Sequence, residues 1–206
     1  MARTAARRRR APRGEGDKLR DEILTATERL LVAKGSVDNV SIRAIADAVG
    51  VTPPSIYMHF ADKDVLVNAV CERLFAELDR VSAGAVRGTS DPIKALRSMG
   101  RAYVRFGLEH PEEYRILFMS KELPPNRESY LERLKGLTGF NHLVAAVERC
   151  MDAEVFAPGD PFAVACTLWA GVHGMTSLMI AKPSFPWPKN FVDRGIDTLC
   201  LGFAHQ

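Results

Sequence analysis

The sequence predicts an all-α fold of about nine helices, and three observations support this. Apolar residues recur at helical spacing from Asp17 almost to the C-terminus. Proline and glycine interrupt the pattern at short intervals, as residues at helix boundaries do. No segment shows the alternation of apolar and polar residues typical of a strand, and no internal repeat is present. We therefore expect a packed helical bundle.

The interruptions place the helices in order. The first is predicted at about 17–34 before Gly35, the second between Ser41 and Gly50, and the third at 53–59 with Thr52 as N-cap and prolines in its first turn. A long helix should follow Asp62 and run to about Ala83. The remaining patterns lie at about 92–109, 111–119, 127–153, 160–181 and 189–204.

The charge of the chain is unevenly distributed. The composition, with 47% hydrophobic and 26% charged residues among 206, is globular and excludes wholesale disorder, collagen and a disulfide-dense miniprotein. Eight of the first twenty residues are Lys or Arg and two are acidic, which suggests an acidic polymer or a membrane surface as partner. Residues 1–16 lack apolar periodicity, so we expect a disordered basic arm.

The sequence offers no catalytic or metal-binding constellation. Its four cysteines and five histidines are widely separated, without the short spacings of a zinc site. We predict buried thiols in a reducing compartment, no cofactor and no enzymatic activity. No apolar core follows the N-terminal arginines, so a signal peptide is not expected and a cytoplasmic location is the prediction.

Residues 162–181 contain no charged residue over twenty positions, which is the length of a membrane span. The stretch is only moderately apolar and lacks flanking basic clusters. We therefore favour a helix buried on all sides within a soluble bundle or dimer.

Residues 41–60 form the most informative segment. Two short helices are joined through Val49, Gly50 and Val51, which is typical of a helix-turn-helix. Ala46 is small enough for close helix contact, and Ile56 should help to close the core. This motif predicts binding to double-stranded DNA.

The segment continues with Tyr57, His59, Phe60, Asp62, Lys63 and Leu66. Over about residues 20–70 the sequence resembles the TetR family of bacterial transcriptional regulators. The residues Trp169 to Gly174 are similar to the Trp-His-Gly signature of one C-terminal domain class in that family. The resemblance implies a helix-turn-helix DNA-binding domain at 17–64 and a ligand-binding and dimerisation domain at 65–206.

The predicted DNA contacts cluster around the third helix. They are Arg43, Thr52, Pro53, Ser55, Tyr57, His59 and Lys63. Hydroxyl groups at 52 and 55 are placed to reach bases or phosphates, and the resemblance implies backbone contacts for Tyr57, His59 and Lys63. Capping for Thr52, packing for Tyr57 and solvated charge for Arg43 and Lys63 are the alternatives. Pro54 departs from the small residue common in the family and removes a backbone donor.

Residues 71–206 hold equal numbers of basic and acidic residues, so they are not expected to bind nucleic acid. The resemblance implies that an apolar core there encloses a small ligand. The predicted contacts are Tyr103, Phe106, Phe118, Met119, Phe140, His142, Trp169 and His173. Ordinary core packing, or a structural role for the histidines, is the alternative for each.

The small residues Ala163, Thr167, Ala170, Gly174 and Ser177 share one helix face. This face predicts a homodimer through the last two long helices, with two recognition helices about 34 to 36 Å apart on an inverted-repeat operator. The expected function is a repressor released by a small apolar or amphipathic effector. The alternatives are a ligand-independent regulator and, more remotely, an all-α enzyme or carrier.

Overall fold

A computed structural model describes residues 16–118 and 138–204. Within these ranges the chain forms nine α-helices, one 3-10 turn and no named strand, which confirms the predicted all-α class. The helices are α1 Gly16–Lys34, α2 Ile42–Val49, α3 Pro53–Tyr57, α4 Lys63–Ala85, α5 Pro92–Glu109, α6 Pro111–Phe118, α7 Thr138–Asp152, α8 Pro161–Ala181 and α9 Phe191–Leu201, and the turn is Val37–Asn39. The predicted arm before residue 16, Met119 and the predicted helical stretch 127–137 lie outside the described residues.

Side-chain caps explain why several helices begin where the sequence predicts. Ser41 Oγ accepts a hydrogen bond from the Ala44 N–H at 3.2 Å, at the start of α2. The carboxylates of Asp91 and Asp160 do the same for α5 and α8. At the end of α2, Gly50 adopts a left-handed conformation with φ 79°, which only glycine takes without strain.

Two predicted boundaries need correction. Thr52 occupies the N-cap position of α3 but makes no capping hydrogen bond. Pro54 has no N–H to offer, and the Ser55 N–H bonds the Thr52 carbonyl instead at 2.9 Å. The helix ends at Tyr57 rather than 59. The prediction of 189–204 for α9 is also too long, because a backbone hydrogen bond from Ala157 N–H to Phe203 O, 2.9 Å, draws the chain out of the helix.

The described chain divides into two compact units. The first comprises residues 16–74 with 115–118, and the second comprises 75–114 with 138–204. The boundaries fall inside α4 and α6. The predicted division at residues 64 and 65 concerns function and stays a prediction.

The first unit is held together by a simple apolar core from α1, α2, α3 and the first half of α4. Its fully or almost fully buried side chains are Ile23, Leu24, Leu31, Val40, Ile45, Ala46, Ile56, Phe60, Leu66 and Val70. Burial of such side chains contributes about 1.5–3 kcal/mol each. This core fixes the orientation of the short helix α3.

The second unit packs α5 against α7, α8 and α9 at close range. Glycines allow the approach: a Cβ on Gly107 would lie 2.4 Å from Thr176 Cγ2, and one on Gly171 would lie 2.5 Å from Leu199 Cδ1. Arg97 and Arg101 of α5 pair with Asp197 and Asp193 of α9, which sets the antiparallel register of these two helices.

In the part of the chain that the structure describes, α8 is the one helix that has the length and apolar composition of a membrane span. The core helix of a soluble protein has the same length and composition, so these two properties do not identify a span. In the single chain α8 is not buried on all sides, and its burial within a dimer stays a prediction. It buries one stripe, Val164, Ala165, Leu168, Val172, Thr176 and Ile180, and leaves the opposite side accessible.

Candidate nucleic-acid interface and ligand site

The turn between α2 and α3 has the geometry of a helix-turn-helix. The N–H groups of Gly50 and Val51 both bond the Ala46 carbonyl at 2.9 Å, which reverses the chain tightly. Ile45 and Ala46 from α2 and Ile56 from α3 are fully buried. The two helices therefore pack closely against each other, and the outer side of α3 is exposed to solvent. We call this exposed side the open side of α3.

The predicted DNA contacts lie on or beside this open side. Tyr57 is 53% exposed, and Thr52, Pro53, Ser55 and His59 are partly exposed. The hydroxyls of Thr52 and Ser55 lie 3.0 Å apart, so both point to the same place. Each also keeps hydrogen-bonding capacity for a base or a phosphate.

The two predicted cationic contacts precede and follow α3 in the chain. Arg43 is exposed on the first turn of α2, and Lys63 is the first residue of α4 and partly exposed. The Asp62 carboxylate accepts the Val65 N–H at 2.8 Å and so fixes the start of α4. The exposure of Arg43 and Lys63 leaves both cations accessible to a phosphate, and their contact with DNA stays a prediction.

Sequence reasoning missed two exposed residues of the first unit. Met58, directly after α3, is 85% exposed. Its position one turn after Pro54 and away from buried Ile56 was a usable signal. Arg20 of α1 holds its guanidinium 5.1 Å above the ring centroid of Phe60, a cation–π contact. No local pattern reveals that contact, because forty residues separate the partners.

Four of the polar side chains of the second unit meet in one cluster. Trp169 Nε1 donates to Tyr103 Oη at 3.3 Å, and the hydroxyls of Tyr103 and Tyr114 lie 3.1 Å apart. Tyr114 Oη lies 2.6 Å from His173 Nδ1, and Ser177 Oγ lies 3.3 Å from His173 Nε2. Three helices, α5, α6 and α8, thus supply the Tyr-Tyr-Trp-His cluster.

Burial controls the protonation of this cluster. It lowers the pKa of His173 and raises the pKa of both Tyr103 and Tyr114. All three groups are therefore neutral at neutral pH. A neutral imidazole that carries its proton on Nε2 accepts a hydrogen bond from the Tyr114 hydroxyl at Nδ1 and donates one to Ser177 Oγ, which agrees with the observed distances.

The structure brings only part of the predicted ligand set together. Phe140 packs edge-on against Trp169, with ring centroids 6.0 Å apart, and Phe106 is buried beside His110. His142 is exposed and pairs with Asp79, Nδ1 to Oδ1 2.7 Å, so it belongs to a different contact. Phe118 ends α6 in the first unit, and Met119 lies outside the described residues.

A cavity of about 30 Å³ lies next to the cluster, with Trp169 in its wall. Apolar residues from α5, α7, α8 and α9 line it: Leu96, Gly100, Leu143, Leu168, Val172, Ile196, Leu199 and Cys200. Ligand pockets are typically about 300–1,000 Å³, so a drug-sized molecule needs the helices to separate.

Two family models match the chain. One, described as bacterial regulatory proteins of the tetR family, covers residues 23–70, and the other, a tetracyclin repressor-like C-terminal domain, covers residues 96–199. The chain belongs to the TetR family. It is therefore a DNA-binding transcription regulator, and α3 corresponds to the helix predicted to recognise DNA.

Similar proteins agree with this assignment. The HTH-type transcriptional activator FasR of Mycolicibacterium smegmatis is 33% identical over 117 residues, 56% of this chain and 52% of FasR. The chain thus aligns with about half the length of this curated relative. A protein of unknown function from Rhodococcus sp. RHA1 is 28% identical, with TM-score 0.77 and coverage of 91% of this chain and 96% of that one.

Another solved structure of similar fold carries a ligand. RolR, solved in complex with resorcinol, has TM-score 0.68 and 16% identity, with coverage of 93% of this chain and 90% of that one. At 16% identity this similarity shows only that RolR and this chain share a fold.

Proposed function

We propose that the chain is a homodimeric, cytoplasmic transcriptional repressor that binds an inverted-repeat operator and leaves it when a small apolar or amphipathic effector binds. The observation that carries the DNA-binding part is the open side of α3, held in place by buried Ile56 and Phe60. Thr52, Ser55 and Tyr57 present hydroxyls there, and Arg43 and Lys63 flank them.

Selection of bound duplexes from a random pool tests operator binding. We expect an inverted repeat whose half-sites are about one helical turn apart, because a two-fold dimer places two copies of α3 in successive major grooves. Recovery of no repeat, or of a single unpaired half-site, would contradict the proposal.

The accessible side of α8 supports dimerisation. Ala163, Thr167 and Ala170 are exposed, and a Cβ on Gly174 would meet nothing within 4 Å. Phe162 and Leu178, each about half exposed, extend this small-residue face as apolar surface at either end. A second copy of the helix can approach such a face closely.

Light scattering tests the dimer. Ala170→Glu should convert a dimer at micromolar concentration to a monomer, because it buries an unpaired carboxylate in the α8 contact. Ala48→Glu, at an exposed alanine of α2, is the matched control and should leave the dimer intact. A monomeric wild-type protein would refute the assignment.

The Tyr-Tyr-Trp-His cluster supports an effector site, because it offers polar groups beside an apolar wall. RolR shows that a similar fold holds a small phenol in another protein. An effector that prefers the conformation with wrongly spaced recognition helices shifts the population away from DNA binding by its difference in affinity for the two states. Such a compound should raise the melting temperature and lower operator affinity together.

Two observations favour alternatives to the proposed ligand-controlled repressor. The small cavity favours a ligand-independent regulator, which no compound would release from DNA. The relative FasR is an activator by name, so the sign of regulation needs its own test. A reporter driven by the recovered operator and its promoter should become more active when the regulator is deleted; lower activity would establish an activator.

A further inference from the structure

The solvent-facing side of α3 and the residue that follows it present two apolar side chains among the hydroxyls. Pro54 and Met58 lie one helical turn apart, since the Met58 N–H donates to the Pro54 carbonyl at 3.2 Å. Met58 keeps helical backbone angles, φ −69° and ψ −21°, so both side chains share a face. Ile56 is buried on the opposite side, and Pro54 and Met58 are both exposed.

Pro54 and Met58 are both exposed, so neither belongs to the buried core of the first unit. Met58 is the most exposed of the large hydrophobic side chains in the described residues. From residue 44 to residue 62 the sequence contains no Lys or Arg. The helix α3 therefore cannot make the bidentate arginine contacts by which many proteins recognise guanine.

We propose that Met58, supported by Pro54, contacts thymine C5-methyl groups in the major groove and makes thymine a specificity-determining base in each operator half-site. The inference rests on the proposed entry of α3 into that groove. Thymine alone presents a methyl group there, and apolar side chains recognise it by contact. The flexible thioether of methionine adapts well to such a small apolar target.

The experiment uses the full chain and the operator recovered by selection. Each thymine is replaced in turn by deoxyuridine, which removes the methyl group and leaves base pairing unchanged. We expect at least one thymine per half-site at which the replacement weakens binding about fourfold, and about fifteenfold when both half-sites are changed, as expected for one methyl group removed from water in each.

Variants connect the effect to Met58. Met58→Ala should weaken operator binding and abolish the uracil effect, and Met58→Leu should retain both. Because Met58 is exposed, neither change should disturb folding. Leu108→Ala, at an exposed apolar residue of the second unit, is the matched control and should bind like wild type. Lys63→Ala should weaken all sequences alike while the uracil effect persists.

The outcomes separate this inference from the proposed function. An operator that binds wild type equally well with uracil at every position, or a uracil effect that persists in Met58→Ala, would overturn the inference and leave operator binding intact. Failure to recover any inverted repeat would overturn operator binding itself, and the inference with it.

Discussion

The two units differ in where their candidate functional side chains lie relative to the core of each unit. In the first unit the interior is apolar, apart from Thr27, whose hydroxyl donates to the Ile23 carbonyl in the same helix. The polar groups predicted to bind DNA point outward. In the second unit Tyr103, Tyr114 and His173 form an inward cluster.

The sequence separation of the parts differs as well. The helix-turn-helix and its predicted contacts lie within about twenty consecutive residues, so local caps and one turn position them. The hydrogen bonds from the two tyrosines to α8 join residues 59 to 70 positions apart, so the geometry of the cluster depends on how α5, α6 and α8 pack. We therefore expect the geometry of the predicted DNA contacts to depend on the core of the first unit. The geometry of the cluster should depend on the spacing of the helices in the second unit.

The largest effect should come from Ile56→Ala. Removal of this fully buried side chain leaves a cavity and should cost about 2–5 kcal/mol. Because α3 has only five residues, we expect its amide protons to lose protection from exchange and operator binding to be lost.

Val65→Ala is the control for this change. Val65 belongs to the same unit but is exposed, so the change should cost less than about 0.5 kcal/mol. Equal loss of protection in both variants would show that α3 does not depend on its core contact.

A smaller effect is expected for Gly107→Ala. The added Cβ would meet Thr176 Cγ2 at 2.4 Å and the Tyr114 ring at 2.9 Å, and such overpacking costs about 1–3 kcal/mol. Both tryptophans of the chain lie in the second unit, so thermal unfolding followed by tryptophan fluorescence reports on it.

Gly84→Ala is the matched control. Gly84 lies in the last turn of α4, where a Cβ would meet nothing within 4 Å, so the variant should be as stable as wild type or slightly more stable. A Gly107→Ala protein with an unchanged transition would mean that α5 and α8 can separate without cost.

The predictability of each part from sequence follows the same division. The starts of α2, α5 and α8 were readable because Ser41, Asp91 and Asp160 cap them. The end of α9 was not, since a contact with the distant segment around Ala157 decides it. Thr52 occupies the N-cap position as predicted, but its side chain makes no capping hydrogen bond, because Pro54 has no N–H and the Ser55 N–H bonds the Thr52 carbonyl.

The candidate sites show the same contrast. The exposure of Tyr57 and the burial of Ile56 followed from helical spacing alone. His142 and His173 looked equivalent in sequence, yet one pairs with Asp79 at the surface and the other joins two buried tyrosines. Only the tertiary packing distinguishes them, as it does the contact between Arg20 and Phe60.

The smallest expected effect is an acid sensitivity that arises in the second unit alone. Burial lowers the pKa of His173, so the folded chain keeps the imidazole neutral where an unfolded chain protonates it. The stability contributed by the neutral His173 is therefore fully present above about pH 6.5, the ordinary histidine pKa, and is lost as the pH falls towards the lowered pKa.

His173→Gln removes this titration but leaves an amide oxygen that can accept a hydrogen bond from Tyr114. Its tryptophan-detected unfolding temperature should fall less between pH 7.5 and pH 5.5 than that of wild type. An identical fall in both proteins would show that His173 is not the source of the acid sensitivity.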